Sequence, residues 1–107
     1  MELSVPKRVL CRASQIAANA VVRVDLPDGA AIAVYNLEGD YFATDLLCTH
    51  GDASLAEGFV EDGKIICPFH GGAFDIRSGE ATSAPCILPL RTYPVRVEDD
   101  AIVAEIE

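Results

Sequence analysis

Basic residues are scarce in this 107-residue sequence: eight Lys and Arg stand against seventeen Asp and Glu, a formal charge of -9. A nucleic acid backbone carries dense negative charge, so nucleic-acid binding is not expected. An anionic membrane surface is disfavoured for the same reason. Long apolar runs are missing too. None approaches the eighteen or so residues that span a bilayer. The opening stretch MELSVPKRVLCRAS has no apolar core of signal-peptide length, so a cytoplasmic location is expected. The chain has no repeat, no low-complexity stretch and no glycine-rich dinucleotide fingerprint. It therefore shows no site for a nicotinamide or flavin of its own. No convincing pair of catalytic carboxylates stands out. Glu61-Asp62 and Glu98-Asp99-Asp100 fall on expected turns and read as solvated faces.

What is present fits a single domain over residues 1–107. Half the residues are hydrophobic, enough for a modest core. Short β-branched and alternating runs are cut by turn signals. Val21 to Leu26 and Ala30 to Leu37 flank Pro27-Asp28-Gly29, and Tyr41 to Thr44 follows the turn Glu38-Gly39-Asp40. Lys64 to Cys67 and Ala73 to Arg77 are further short strands, and Val9 to Cys11 lies in the first one. Arg91 to Val97 and Ala101 to Ile106 read as a closing hairpin. Strands at this spacing predict an all-β sandwich or small barrel. One helical turn is expected near Ser14 to Ala18, with Ser14 as its N-cap. Leu46 to Gly58 and Pro68 to Gly72 read as loops, and loops on a rigid scaffold are where function concentrates.

Histidine is scarce. There are only two, and both lie in these loops: Cys48-Thr49-His50-Gly51 and Cys67-Pro68-Phe69-His70-Gly71. With four cysteines in 107 residues, a given position holds Cys about one time in 27. A cysteine just upstream of both histidines is then roughly a one-in-700 coincidence, which points to metal ligation. A structural zinc ion is one reading. Zinc arms usually space their ligands Cys-x2-4-Cys or His-x3-5-His. Cys-x-His is tight for two ligands on one tetrahedral ion. The strain disappears if each arm bridges two metals, with both cysteines on one iron and both histidines on the other, the arrangement of a Rieske centre. Gly51, Gly71 and Gly72 flank the histidines and would permit close backbone approach.

Cys48-Thr49-His50, sixteen residues and then Cys67-Pro68-Phe69-His70-Gly71 resembles the Rieske [2Fe–2S] motif. The flanking Gly51-Asp52 and Phe74-Asp75-Ile76-Arg77-Ser78-Gly79-Glu80 are similar to the stand-alone Rieske ferredoxins of bacterial aromatic-ring dioxygenase systems. The resemblance implies an antiparallel β-sandwich with a small cluster-binding subdomain, about residues 46–87, made of two loops. It implies one [2Fe–2S] cluster on Cys48, His50, Cys67 and His70. It implies a monomeric one-electron carrier, not an enzyme, between a flavoprotein ferredoxin reductase and a terminal Rieske non-haem iron oxygenase. Pro85, in Ala84-Pro85-Cys86, resembles the proline loop that covers the cluster.

High-potential Rieske proteins carry an extra cysteine in each arm, where this chain has Ala53 and Phe69. They also place hydroxyl donors where it has Gly72 and Phe74, neither of which donates from a side chain. The resemblance therefore implies a potential near the low end of the Rieske range. A subunit fixed in a larger reductase, such as a nitrite reductase small subunit, is the alternative assembly. A zinc-stabilised interaction module is the alternative of another class. Cys11 is expected to be a small buried hydrophobe. Cys86 is not counted as a ligand. Leu47, Pro68 and Phe69 are candidates for an apolar docking rim.

Overall fold

The computed structural model describes residues 7–26, 29–47, 54–68, 72–83 and 88–105; the side chains of Lys7 and Glu105 also fall outside it. The described chain is built from eleven strands: β1 (Lys7–Arg12), β2 (Ala20–Asp25), β3 (Ala31–Leu37), β4 (Asp40–Asp45), β5 (Phe59–Glu61), β6 (Lys64–Ile66), β7 (Ala73–Asp75), β8 (Ala81–Ser83), β9 (Thr92–Tyr93), β10 (Val95–Glu98) and β11 (Ala101–Glu105). They form three antiparallel sheets, ordered β1-β11-β10, β2-β3-β4-β9 and β5-β6-β7-β8. No described helix is long and apolar enough to cross a membrane.

Strand β3 explains the layering. Its sequence AIAVYNL is an almost unbroken apolar run, and every residue after Ala31 is buried. Successive side chains on a strand point to opposite faces. Ile32 and Val34 enter one core, with Leu10, Ala43, Ile102 and Ala104. Ala33, Tyr35 and Leu37 enter another, with Leu46, Leu55, Ile65, Cys67 and Phe74. The β3 sheet is therefore a middle layer with a core on each face. The polar residue in the run, Asn36, is paired at both ends of its amide: the nitrogen donates to the Ile16 carbonyl and the oxygen accepts from the Gly39 N–H.

The hairpin turns follow local chemistry. Asp62 and Gly63 both have positive φ between β5 and β6, the signature of a two-residue Asp-Gly turn. Asp99 and Asp100 do the same between β10 and β11. Here the structure corrects three expectations. The helical turn is a 3-10 turn over Ala13–Gln15, not Ser14 to Ala18, and its N-cap position is Arg12. One part of the cap is local, the Gln15 side-chain oxygen accepting from the Arg12 N–H at 2.9 Å; the other part comes from across the chain. The Ala13 N–H donates to the Asp100 carbonyl, and the Ser14 N–H and hydroxyl donate to the Asp100 carboxylate at 3.0 and 2.7 Å. Asp100 is thus a structural cap and not merely a solvated turn residue. Arg91 to Val97 is likewise not one strand. Proline has no N–H to give a ladder, and Pro94 separates β9, which pairs with β4, from β10, which pairs with β11.

Residues 46–87 hold more than two loops. They carry the whole β5–β8 sheet and a 3-10 turn, Leu55–Glu57. Ile65 and Phe74 pair across β6 and β7 and face the core shared with the middle sheet.

Candidate metal centre

Of the predicted ligands, Cys67 lies among the described residues; Cys48, His50 and His70 lie outside them, as do Phe69, Gly71, Pro85 and Cys86. What the structure fixes is the base of each arm. The segment 48–53 leaves from Leu47 and returns at Ser54, and these two residues form an isolated antiparallel bridge. One step inside it, the Leu55 N–H donates to the Leu46 carbonyl at 2.8 Å. The second segment is closed the same way: the Cys67 N–H donates to the Gly72 carbonyl at 2.7 Å. Two short arms are therefore each pinned at the root by backbone pairing.

The two roots sit together. Leu46 and Leu55 from the first arm, and Cys67 with Phe74 beside the second, belong to one buried core. Gly58, just after the Leu55–Glu57 turn, lies so close to the Ile66 carbonyl that a side chain there would collide with it. Cys67 is only 3% exposed. Leu47 and Leu88 are 49% and 59% exposed, and Pro68 and Pro89 are exposed too. A buried sulfur beside short arms, with apolar residues at the surface, fits a thiolate-ligated cluster near the protein edge.

These features place the chain among proteins of known kind. The Rieske [2Fe-2S] domain family matches residues 7–94. The chain belongs to that family. It is 45% identical to the ferredoxin component of the p-cumate 2,3-dioxygenase system of Pseudomonas putida, over 91% of this chain and 83% of that one. The ferredoxin of Sphingomonas yanoikuyae B1 superposes with a TM-score of 0.91 at 42% identity, covering 95% of this chain and 100% of that one. A complex of reduced oxygenase and oxidised ferredoxin in carbazole 1,9a-dioxygenase contains a chain matching at TM-score 0.89 and 36% identity, over 97% of this chain and 96% of that one. The protein is a Rieske ferredoxin of the kind found in aromatic dioxygenase systems. It is an electron carrier, not a catalyst, with one Rieske [2Fe–2S] cluster as cofactor. A zinc-only module is set aside.

Several residues that organise this end carry weaker sequence signals. Asp75 ends β7, and its carboxylate accepts from the Arg77 and Ser78 N–H groups while its carbonyl accepts from Gly79. Gly79 has φ +80° and lies against the Leu90 carbonyl. An Asp followed by Ser-Gly is a recognisable turn signal, so this wiring was open to sequence reading. Tyr35 was not. Its buried hydroxyl meets the Thr44 hydroxyl at 2.8 Å, and Thr44 in turn donates to the Asp45 carbonyl at 2.8 Å. Thr44 has one proton, so the Tyr35 phenol is the donor in their pair. Burial raises its pKa, leaving the phenol protonated.

Tyr93 has its pKa pushed up to about 12, by burial first and then by its hydrogen bond to Asp45 and that group's charge, against the opposing Arg91 cation. A phenol with a raised folded pKa adds stability below its ordinary value of 10, and the contribution is lost as pH climbs towards 12. Cys11 is half-buried against the second core, and burial raises its thiol pKa. That matches a small apolar role more closely than a reactive one.

Proposed function

We propose that Cys48, His50, Cys67 and His70 hold the cluster, cysteines on one iron and histidines on the other. We further propose that the protein takes single electrons from a flavoprotein reductase and delivers them to the terminal oxygenase of an aromatic-ring dioxygenase system. The observation that carries this reading is the pair of pinned arm roots sharing one core at Cys67. Each root leads directly into a Cys-His arm of the sequence. When bound, the cluster supplies a one-electron redox step. The chain's own residues contribute the rest. Cys67 is shielded by Leu46, Leu55 and Phe74. Leu47, Pro68 and Leu88 offer an apolar rim of the small kind that suits transient docking. The relatives named as ferredoxin components, and the complex of ferredoxin with oxygenase, support the partner assignment. In this reading the whole chain, 1–107, is one cytoplasmic, monomeric domain with its cluster-binding part at about 46–87.

Turnover by a reconstituted reductase, carrier and oxygenase should depend on this protein and should fall as salt rises, because opposite charge accelerates encounter. If no reductase–oxygenase pair from an aromatic dioxygenase system accepts it, and gel filtration shows it locked to another subunit, the fixed-subunit assembly replaces the carrier.

The potential is a second expected result. Rieske centres span about −150 to +300 mV, and hydrogen bonds to the cluster set the place within that range. Gly72 and the fully buried Phe74 bring no side-chain donor to the second arm. The midpoint is expected within about 100 mV of −150 mV. A value well above zero by protein-film voltammetry would refute that assignment of donors.

A further inference from the structure

Asp45 is the last residue of β4, three residues before Cys48, and the structure holds it at every polar group. Its N–H donates to the Arg91 carbonyl at 3.0 Å. Its carbonyl accepts from Thr44, whose hydroxyl accepts from the buried Tyr35 phenol. Its carboxylate accepts from the Tyr93 hydroxyl. The last bond runs diagonally across β4 and β9, since Tyr93 stands opposite Ala43, two residues before Asp45. Arg91 lies over the Tyr93 ring, 4.9 Å from its centroid. The strand that carries Tyr93 follows the 84–90 stretch, whose end is tied by the Leu90 N–H to the Gly79 carbonyl.

Backbone pairing already fixes these two strands, at Ala43 with Tyr93 and Thr44 with Thr92. The phenol–carboxylate bond is therefore more than the sheet requires. What it adds is control of the residue from which the first arm departs. From the geometry we infer that Tyr93 and Asp45 form a positioning clamp, which holds the root of the Cys48–His50 arm against β9 and so slows loss of the cluster. This rests on the ligand set proposed above.

The test uses the full-length holoprotein, with the visible absorbance followed under a ferrous chelator and the reduced EPR spectrum recorded. Tyr93→Phe and Asp45→Ala should bleach about five-fold faster than wild type, the scale of one part-buried hydrogen bond. Asp45→Asn keeps an acceptor oxygen and should stay close to wild type. The double variant Tyr93→Phe/Asp45→Ala should bleach no faster than the quicker single variant, because both remove the same bond. The reduced EPR line should broaden in Tyr93→Phe and not in Ile102→Val, a control in the second core. Equal bleaching of Tyr93→Phe and wild type overturns the clamp. So does an Asp45→Asn protein as fast as Asp45→Ala, which would assign the effect to charge. So does an Ile102→Val protein that bleaches as fast as Tyr93→Phe, which would make the effect one of general stability. A wild-type protein without a Rieske EPR signal overturns the ligand set, and the clamp with it.

Discussion

Cys67→Ser should purify colourless, with iron falling from about two atoms per chain to a small fraction of one. Cys67 is 3% exposed, follows β6 directly and packs with Leu46, Leu55 and Phe74. As the proposed ligand, Cys67 would bind iron as a thiolate, and the metal would compensate the buried charge. Serine is nearly the same size, so the core keeps its shape. Its hydroxyl is a far poorer ligand for iron than a thiolate. The backbone bond from residue 67 to the Gly72 carbonyl does not involve the side chain and should persist. The far-UV circular dichroism should therefore stay that of a folded β-protein while the visible absorption and the reduced EPR signal vanish. A red-brown Cys67→Ser protein with an intact Rieske spectrum would remove Cys67 from the ligand set.

The proposed arms stand out in the sequence because their residue types are rare. Two histidines, each just downstream of a cysteine, leave little room for another account. Strands β2, β3 and β4 were readable for a different reason: local turn residues such as Glu38-Gly39 bound runs long enough to show their pattern. Where the reading failed, the cause was contact over distance or a weak apolar signal. The 3-10 turn at Ala13–Gln15 sits where Asp100, 86 residues from Ser14, can cap it, and no local window contains that partner. Strands β5 and β8 are the edges of their sheet and bury no residue fully, so they lack the apolar signal that marks the equally short inner strands β6 and β7. Even so, the Asp62-Gly63 dipeptide was a usable hairpin signal for β5. β3 was legible as a strand, but its burial on both faces depends on the layers packed on either side of it, which come from distant parts of the chain. The Tyr93–Asp45 and Tyr35–Thr44 pairs arise only from register between strands, which the sequence does not display.

Phe74→Ala should cost about 3–5 kcal/mol, the usual penalty for emptying a buried phenylalanine site. Small proteins have total stabilities of about 5–15 kcal/mol, so this is a large share. Phe74 is wholly buried, pairs with Ile65 on β6 and shares its core with Leu46, Leu55 and Cys67. The cavity would therefore open beneath both arm roots at once. That location makes a prediction beyond a lower melting temperature. The roots should loosen before the rest of the fold, so that in Phe74→Ala the visible absorption is lost several degrees below the far-UV transition. Ile102→Ala is the comparison. It should cost a similar 2–5 kcal/mol. Ile102 is equally buried, but it lies in the other core, across the middle sheet from Cys67. Its absorbance and far-UV transitions should coincide. Phe74→Leu refills most of the volume and should restore much of the loss. The contrast follows from the two-sided middle sheet, which divides the interior into one core that carries the arms and one that does not. Coincident transitions in Phe74→Ala, or separated ones in Ile102→Ala, would show that the two cores melt as one unit and that the arms draw no particular support from Phe74.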